Sequence, residues 1–194
     1  MRIFFAVCTA LSLSIPVLPA IAADSTTETA APQTREQRLD RLFSDLKHEP
    51  NPKAAERIAG RIWAEWNRSG SASIDLMMQW SQKAIEDQKF DVALDFLDQV
   101  VTLDPKYAEG WNRRATAHFL MKNYAKSMAD IEKTLELEPR HFGALSGMAQ
   151  IMTETGRKQS ALDAWQKVLD VYPMLRNAQD QVSKLSEDLA GEAI

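Results

Sequence analysis

Three prolines in similar surroundings divide the second half of the chain into segments of equal length. They close the stretches TLDP, ELEP and DVYP, and they follow one another at intervals of 34 residues, from 105 to 139 and from 139 to 173. A fixed period of this size is typical of stacked repeats, in which each unit buries its apolar face only against its neighbours. Because proline cannot continue a helix, each one predicts the end of a repeat unit.

A second pattern keeps the same period: a small residue is followed four positions later by a large apolar one. The small residue lets two helices approach closely, and the large one fills the space a turn later. The pairs are Ala59 with Trp63, Ala93 with Leu97, Ser127 with Ile131, and Ala161 with Trp165. One further large position recurs in phase as Phe43, Met77, Trp111 and Leu145. Each unit is therefore predicted to be a pair of packed helices.

Together these features resemble the tetratricopeptide repeat (TPR) family, whose 34-residue unit is a helix–turn–helix motif. The resemblance implies an all-α fold, a right-handed solenoid with a C-terminal capping helix. It places repeats at 74–107, 108–141 and 142–173, between a degenerate helix pair at 34–71 and a cap at 174–194. The chain is similar to small periplasmic or secreted members of this family from alphaproteobacteria.

The predicted helices follow from this periodicity. Thr34 to Gln37 has the form of a capping box that opens the first helix. The next connection, HEPNPK, departs from the tight turn of the family, so the first pair is free to pack at a different angle. We predict helices at about 35–47, 53–68, 74–87, 90–103, 106–121, 124–137, 141–155, 158–171 and 174–190.

The first residues have the pattern of a secretory signal peptide. Arg2 precedes an apolar run, and small residues at the end favour cleavage after Ala22 or Ala23; retention as an anchor is the alternative. We therefore expect a signal peptide at 1–23, a flexible polar linker at 24–33, and a periplasmic or secreted protein without membrane insertion after cleavage. Cys8 is the single cysteine, which leaves the mature chain without a disulfide.

The stretch YAEGWNRRATAHF divides into scaffold and candidate surface. Trp111 lies at the position where the family packs a tryptophan between its two helices. The resemblance implies that Arg114 reaches the neighbouring helix, where Asp130 is the expected partner. His118 is expected to pack against other helices, because no acid or nucleophile is spaced to make it catalytic.

The same resemblance implies a concave groove in which an extended peptide is held. The positions that face it are mostly polar and uncharged, and Arg113 is the strongest feature. The alternative is that these side chains are merely solvated. Only Arg113 suits a clamp for a peptide carboxylate, so that activity is not supported. The candidate groove residues are Met78, Gln82, Asn112, Arg113, Thr116, Ser146 and Gln150.

The remaining patterns narrow the class of function. The sequence shows no catalytic residues, no metal-ligand spacing and no cofactor loop, and its net charge of −4 gives no electrostatic case for nucleic acid. The first hypothesis is therefore a non-enzymatic adaptor that binds a protein or peptide partner in the bacterial envelope. The alternative is a self-assembling subunit that dimerises through end or convex helix faces, with the helix at 174–194 as one candidate.

Overall fold

The computed structural model of the protein describes residues 33–192, and within this range the chain is all-α. The helices are α1 (Arg35–His48), α2 (Pro52–Trp66), α3 (Ala72–Glu86), α4 (Phe90–Leu103), α5 (Ala108–Leu120), α6 (Tyr124–Leu137), α7 (Phe142–Glu154), α8 (Lys158–Val171) and α9 (Arg176–Glu192). The predicted signal peptide and nearly all of the predicted linker lie outside the described residues, as do the last two residues of the predicted cap.

The three repeats are the pairs α3–α4, α5–α6 and α7–α8, each joined by the same tight turn. The turn residues Gln88, Lys122 and Gly156 have φ of 59°, 60° and 72°. In each turn the following N–H donates to the carbonyl oxygen five residues earlier, at 2.8 or 2.9 Å. This arrangement satisfies carbonyl groups that the end of a helix leaves unpaired. The repeated backbone turn explains why three different local sequences give one helix-pair geometry.

The helix starts follow the capping rules that the sequence suggests. The backbone N–H of Gln37 donates to the Thr34 hydroxyl at 3.2 Å, and the N–H of Thr34 donates to the Gln37 side chain at 3.0 Å. The capping box predicted for α1 is therefore confirmed. Asn51 accepts from the third residue beyond it at the start of α2, where Pro52 occupies the first helical position.

The apolar faces of α1 and α2 do not share a cluster with those of α3 and α4. Instead, α1 and α2 form a cluster with Phe142 at the start of α7 and Tyr172 at the end of α8. Val171, Met174 and Leu175, around the connection between α8 and α9, pack against the same cluster. We call these two helices the N-terminal hairpin. The hairpin thus lies against the second half of the repeat stack. The 34-residue period of the sequence does not predict this placement.

At the other end of the stack, α9 covers the last repeat. Ala178 and Leu185 are buried in one cluster with α7 and α8, and Val182 and Leu189 pack against it. The polar side of α9 faces solvent, as the cap of a solenoid requires. Across the described residues no helix is both long and apolar enough to cross a bilayer.

Candidate functional site

A groove of about 300 Å³ lies between α5 and α7. Its floor includes Phe119, Ile131 and Trp165. Small residues along α5 and α7 keep the space above this floor open. Polar side chains without a formal charge also line it, and among these Asn112 is buried whereas the others are exposed or half-buried: Thr116, Ser146, Gln150 and Asn177. The groove thus combines an apolar bottom with a rim of hydroxyl and amide groups.

Four of the seven predicted groove residues line this space: Asn112, Thr116, Ser146 and Gln150. The hydroxyls of Thr116 and Ser146 donate to carbonyl oxygens four residues earlier, at 3.0 and 2.7 Å. The Gln150 amide donates to Glu154 at 3.2 Å. A hydroxyl that donates to its own helix still presents its oxygen as an acceptor. The rim can therefore accept hydrogen bonds from the backbone of a bound segment.

Met78 and Gln82 do not belong to this groove. Met78 is only 3% exposed and packs in the core of the first repeat with Ile74 and Leu97. Gln82 is exposed on α3, where its amide donates to Glu86 at 2.9 Å. The expectation that Met78 offers an open binding surface is thus wrong about its accessibility, because the first repeat uses that side chain as core.

Arg113 is engaged inside the protein rather than facing an empty groove. Its Nη2 donates to Glu109 at 2.9 Å and to the Asn67 side chain at 2.8 Å, and its side chain is 15% exposed. Asn112 is buried and donates to the other oxygen of Glu109 at 2.9 Å. Asn67 follows the last residue of α2, so the guanidinium ties α5 to the N-terminal hairpin. Arg113, which the sequence indicates as the strongest feature of the groove, therefore has a structural role.

Glu109 is the centre of this buried network. Besides Asn112 and Arg113, it contacts His141, whose Nε2 lies 3.2 Å from a carboxylate oxygen. Nδ1 of His141 accepts the backbone N–H of Ala144, so Nε2 carries the proton and donates. Burial by itself would raise the pKa of Glu109, but the hydrogen bonds from His141 and Arg113 and the guanidinium charge lower it below its ordinary value. The carboxylate is thus held in its charged form.

The hairpin completes the enclosure of this network with two tryptophans. Trp66 stacks on the His141 ring with a centroid distance of 3.9 Å and an angle of 7° between the planes. The ring of Trp63 lies so close to Gly143 that a Cβ there would stand 2.7 Å from it. A side chain at position 143 would therefore push the hairpin away. Glycine is required at this place by close approach and not by its backbone angle.

Sequence reasoning missed Glu109 and His141 as partners of the hairpin. They are 32 residues apart, so they do not share a repeat position, and the 34-residue period could not pair them. A glycine at position 143, beside an N-capping histidine, was a usable signal of close packing there. Trp63 and Trp66 pack with Phe43 and Leu46 in the apolar cluster of the hairpin.

The ion pair predicted between Arg114 and Asp130 is present. Two guanidinium nitrogens of Arg114 donate to the two carboxylate oxygens of Asp130 at 2.9 and 2.7 Å. The third donates to Asp98 on α4 at 2.8 Å. The hydrogen bond with Asp130 is the main cause that raises the pKa of Arg114 above its ordinary value. The guanidinium also lies 4.8 Å from the centre of the Trp111 ring. Arg114 therefore joins two helices of its own repeat to the repeat before it.

His118 and Trp111 are scaffold as well. His118 is buried, and that burial lowers the pKa of its imidazole below the ordinary value. Trp111 is partly exposed and donates from Nε1 to the carbonyl oxygen of Pro105 at 3.0 Å. Within residues 33–192, no cluster of three or more histidine, cysteine, aspartate or glutamate side chains is placed to hold a metal ion.

The comparison with protein families matches the tetratricopeptide repeat model to residues 108–141, which are the second repeat. A TPR repeat-containing protein of Rhizobium etli is 54% identical over 185 residues, covering 94% of this chain and 91% of that protein. The small glutamine-rich tetratricopeptide repeat-containing protein 2 of Saccharomyces cerevisiae is 29% identical, over 60% of this chain and 34% of its own length.

Solved structures agree with the fold. The first TPR domain of Spaghetti (RPAP3), bound to an HSP90 peptide, superposes with a TM-score of 0.58 at 22% identity. The match covers 62% of this chain and 95% of that domain. The TPR2B domain of yeast Sti1, in complex with an Hsp70 peptide, gives a TM-score of 0.56 at 18% identity, over 61% of this chain and 99% of that domain. At these identities the likeness establishes the arrangement of helices.

Proposed function

This chain belongs to the tetratricopeptide repeat family, and from that premise we propose that it is a non-enzymatic adaptor which binds a peptide or protein segment between α5 and α7. The observation that carries the proposal is the groove itself, with its apolar floor and uncharged polar rim. The Spaghetti and Sti1 domains were solved with peptides bound, which supports a peptide as the class of ligand.

The lining of the groove indicates which peptide it suits. An apolar side chain fits the floor formed by Phe119, Ile131 and Trp165. Thr116 and Gln150 at the rim offer hydrogen bonds to the backbone of an extended segment. No lysine or arginine lines this space, and Arg113 is already bound to Glu109. We therefore propose an uncharged, apolar stretch as the ligand and not a C-terminal carboxylate.

Binding in this groove takes advantage of a rigid scaffold. The hydroxyl of Ser127 on α6 donates to the carbonyl oxygen of Ala115 on α5 at 2.8 Å, beside the groove. Phe119 packs on Tyr124 with a ring-centroid distance of 5.8 Å. Because contacts within the scaffold hold these walls, we expect the ligand to bear most of the loss of conformational freedom on binding.

We propose that this binding takes place in the bacterial envelope. The support is the signal-peptide pattern of residues 1–23 and the small residues Ala22 and Ala23 at its end. Expression of the full chain in a Gram-negative host, followed by periplasmic extraction and mass spectrometry, tests it. We expect the periplasmic protein to begin at Ala23 or Asp24. An unprocessed chain in the membrane fraction would favour the anchored alternative.

The groove is tested by substituting Thr116, which is exposed on α5 and lines it. We expect Thr116→Arg to abolish binding of peptides selected by the wild-type protein from a displayed library of random sequences, because a long charged side chain fills the groove. Thr102→Arg is the matched control. Thr102 is also exposed and also donates to the carbonyl oxygen four residues earlier, but it lies on α4, outside the groove.

The readout is fluorescence anisotropy with the selected peptides, after circular dichroism has shown that both variants are folded. Selected peptides that bind Thr116→Arg as tightly as wild type would show that the groove is not the binding site. Substitution of Arg113 or Asn112 does not serve this test, because both donate to the buried Glu109 and Arg113 also donates to Asn67 of the hairpin.

A further inference from the structure

The outer side of the first repeat carries an apolar surface that the N-terminal hairpin leaves uncovered. Trp80 on α3 is 49% exposed and Leu103 on α4 is 64% exposed, and Leu76 and Val92 are exposed beside them. Trp80 packs against the partly buried Phe96 with a ring-centroid distance of 5.4 Å. We call these five side chains the end face. A patch of this kind usually marks an interaction site.

The repeat period shows what this surface corresponds to inside the stack. Trp80 and Phe96 stand one period before Arg114 and Asp130. In the second repeat that position faces the preceding repeat, since Arg114 donates across the interface to Asp98 on α4. The end face is therefore the side on which a further repeat would stack, and it continues an interface that exists within the chain.

The outer stripe of α4 is unlike those of the other second helices. Val92, Phe96, Gln99 and Leu103 follow one another at spacings of four, three and four residues, which place them on one side of the helix. The inner side of α4 is apolar too and buried. Positions equivalent to Val92 and Gln99 in α6 and α8 carry Lys126, Lys133, Ser160 and Lys167. Among the second helices of the three repeats, only α4 is thus apolar on both sides. This pattern is typical of a helix that is covered on both sides.

From this pattern we propose that the end face binds a second copy of this chain, through antiparallel packing of α4 on α4. Spacings of four, three and four read the same in both directions. In an antiparallel pair Val92 therefore meets Leu103 of the other copy, and Phe96 meets Gln99. The stripe itself contains no charged side chain, so a two-fold contact along it places no charge at the axis. Trp80 extends the apolar area on either side of the axis.

This inference is independent of the proposed groove. The end face lies on the outer side of α3 and α4, whereas the groove is formed by α5 and α7. A dimer of this kind leaves both grooves open and would present two ligand sites in one particle. Two weak sites held together increase the overall affinity for a partner with two binding segments.

Sedimentation velocity of the purified protein, produced from the full-length gene, tests the proposal through a charge exchange. We expect a monomer–dimer equilibrium in the micromolar to low-millimolar range, as suits a small interface. Val92→Lys and Leu103→Glu should each weaken dimerisation at least about tenfold, because each places two unpaired charges in the contact. The double variant should recover the dimer, since the opposite charges then face each other across the axis.

Leu120→Glu is the control, because Leu120 is exposed to a similar degree as Val92 but stands outside the end face. It should dimerise as wild type does. A wild-type monomer at every concentration overturns the proposal, even where another protein binds this face. A double variant that stays monomeric overturns it as well. Thr116→Arg should still form dimers and Val92→Lys should still bind peptides, so the two proposals fail separately.

Discussion

The C-terminal end of the repeat stack is covered by α9, whereas the outer side of the first repeat remains open. On α9, Ala178 and Leu185 are buried against the last repeat. On α3, Trp80 is half exposed in the place where a preceding helix pair would lie. The chain does contain such a pair, but α1 and α2 pack against Phe142 and Tyr172 instead. Proximity in sequence therefore does not decide where a terminal element of a solenoid packs.

The comparison is tested most strongly by one tryptophan from each end. Trp165 is 1% exposed in the cluster that α9 covers. We expect Trp165→Ala to lower the free energy of unfolding by about 3–5 kcal/mol, because it leaves a large cavity. Trp80→Ala should cost about 1 kcal/mol or less, since half of that ring is already in water. Urea unfolding followed by circular dichroism measures both, and equal losses would mean that the end face is part of the core.

The attachment of the hairpin depends on the charge of Glu109. Glu109→Gln should lower the free energy of unfolding by about 2 kcal/mol at neutral pH, because hydrogen bonds to a charged group are lost. Amide hydrogen exchange should be faster in α1 and α2 than in wild type. Equal loss of protection across all repeats would contradict a local role.

The same carboxylate predicts a dependence on pH. Since the pKa of Glu109 is lowered in the folded protein, its contribution is present above the ordinary value of 4.5 and is lost as the pH falls below it. The unfolding free energy of wild type and Glu109→Gln should therefore converge in acid. Urea titrations at a series of pH values measure this, and curves that stay parallel would contradict it.

Arg114 and Asp130 sharpen the comparison between the first and second repeats. A double-mutant cycle with Arg114→Met and Asp130→Asn should give a coupling energy of about 1–2 kcal/mol, because the pair is bidentate and Asp130 is buried. The aromatic pair Trp80 and Phe96, at the equivalent positions, should couple by about 1 kcal/mol. A coupling energy between Trp80 and Phe96 that is larger than the coupling energy of the ion pair would contradict this prediction.

The smallest effect concerns two glycines that lie in helices. Gly143→Ala should destabilise the protein by about 1 kcal/mol, since the added Cβ would stand 2.7 Å from the Trp63 ring. Gly60→Ala is the control, because a Cβ there has no neighbour within 4 Å. It should stabilise α2 by about 0.5–1 kcal/mol through helix propensity. Thermal unfolding distinguishes the two, and shifts of the same sign would show that Trp63 does not limit the space.

Much of the fold could be predicted because it repeats. The prolines and the small–large pairs recur at fixed repeat positions, and the Arg114–Asp130 pair lies within one repeat. The nearby sequence is therefore enough to predict these features. Hairpin packing is different in kind, since the contact of Trp66 with His141 joins segments 75 residues apart that occupy unrelated positions. No period in the sequence carries that information.

The lining of the groove follows from the repeat only in part. Gln82, Thr116 and Gln150 share one repeat position, and two of them line the groove. Assigning groove positions from one repeat to the next at the 34-residue interval does not work for Met78 and Arg113, because it assumes that all repeats have the same surroundings. The first repeat has no helix pair stacked before it, and the second is held by the hairpin, so equivalent positions have unequal surroundings.

The tight turns between paired helices bear on the order in which the chain unfolds. The backbone of Gln88 and Lys122 lies in the left-handed region, which costs a residue with a Cβ about 1 kcal/mol, while Gly156 adopts this conformation freely. In a solenoid, stability is close to a sum of local and neighbour terms, so such differences are not averaged away. With a strained turn and an uncovered flank, α3–α4 should open at a lower free energy than α7–α8. Local unfolding would then begin at the first repeat and proceed toward the last repeat, which α9 covers.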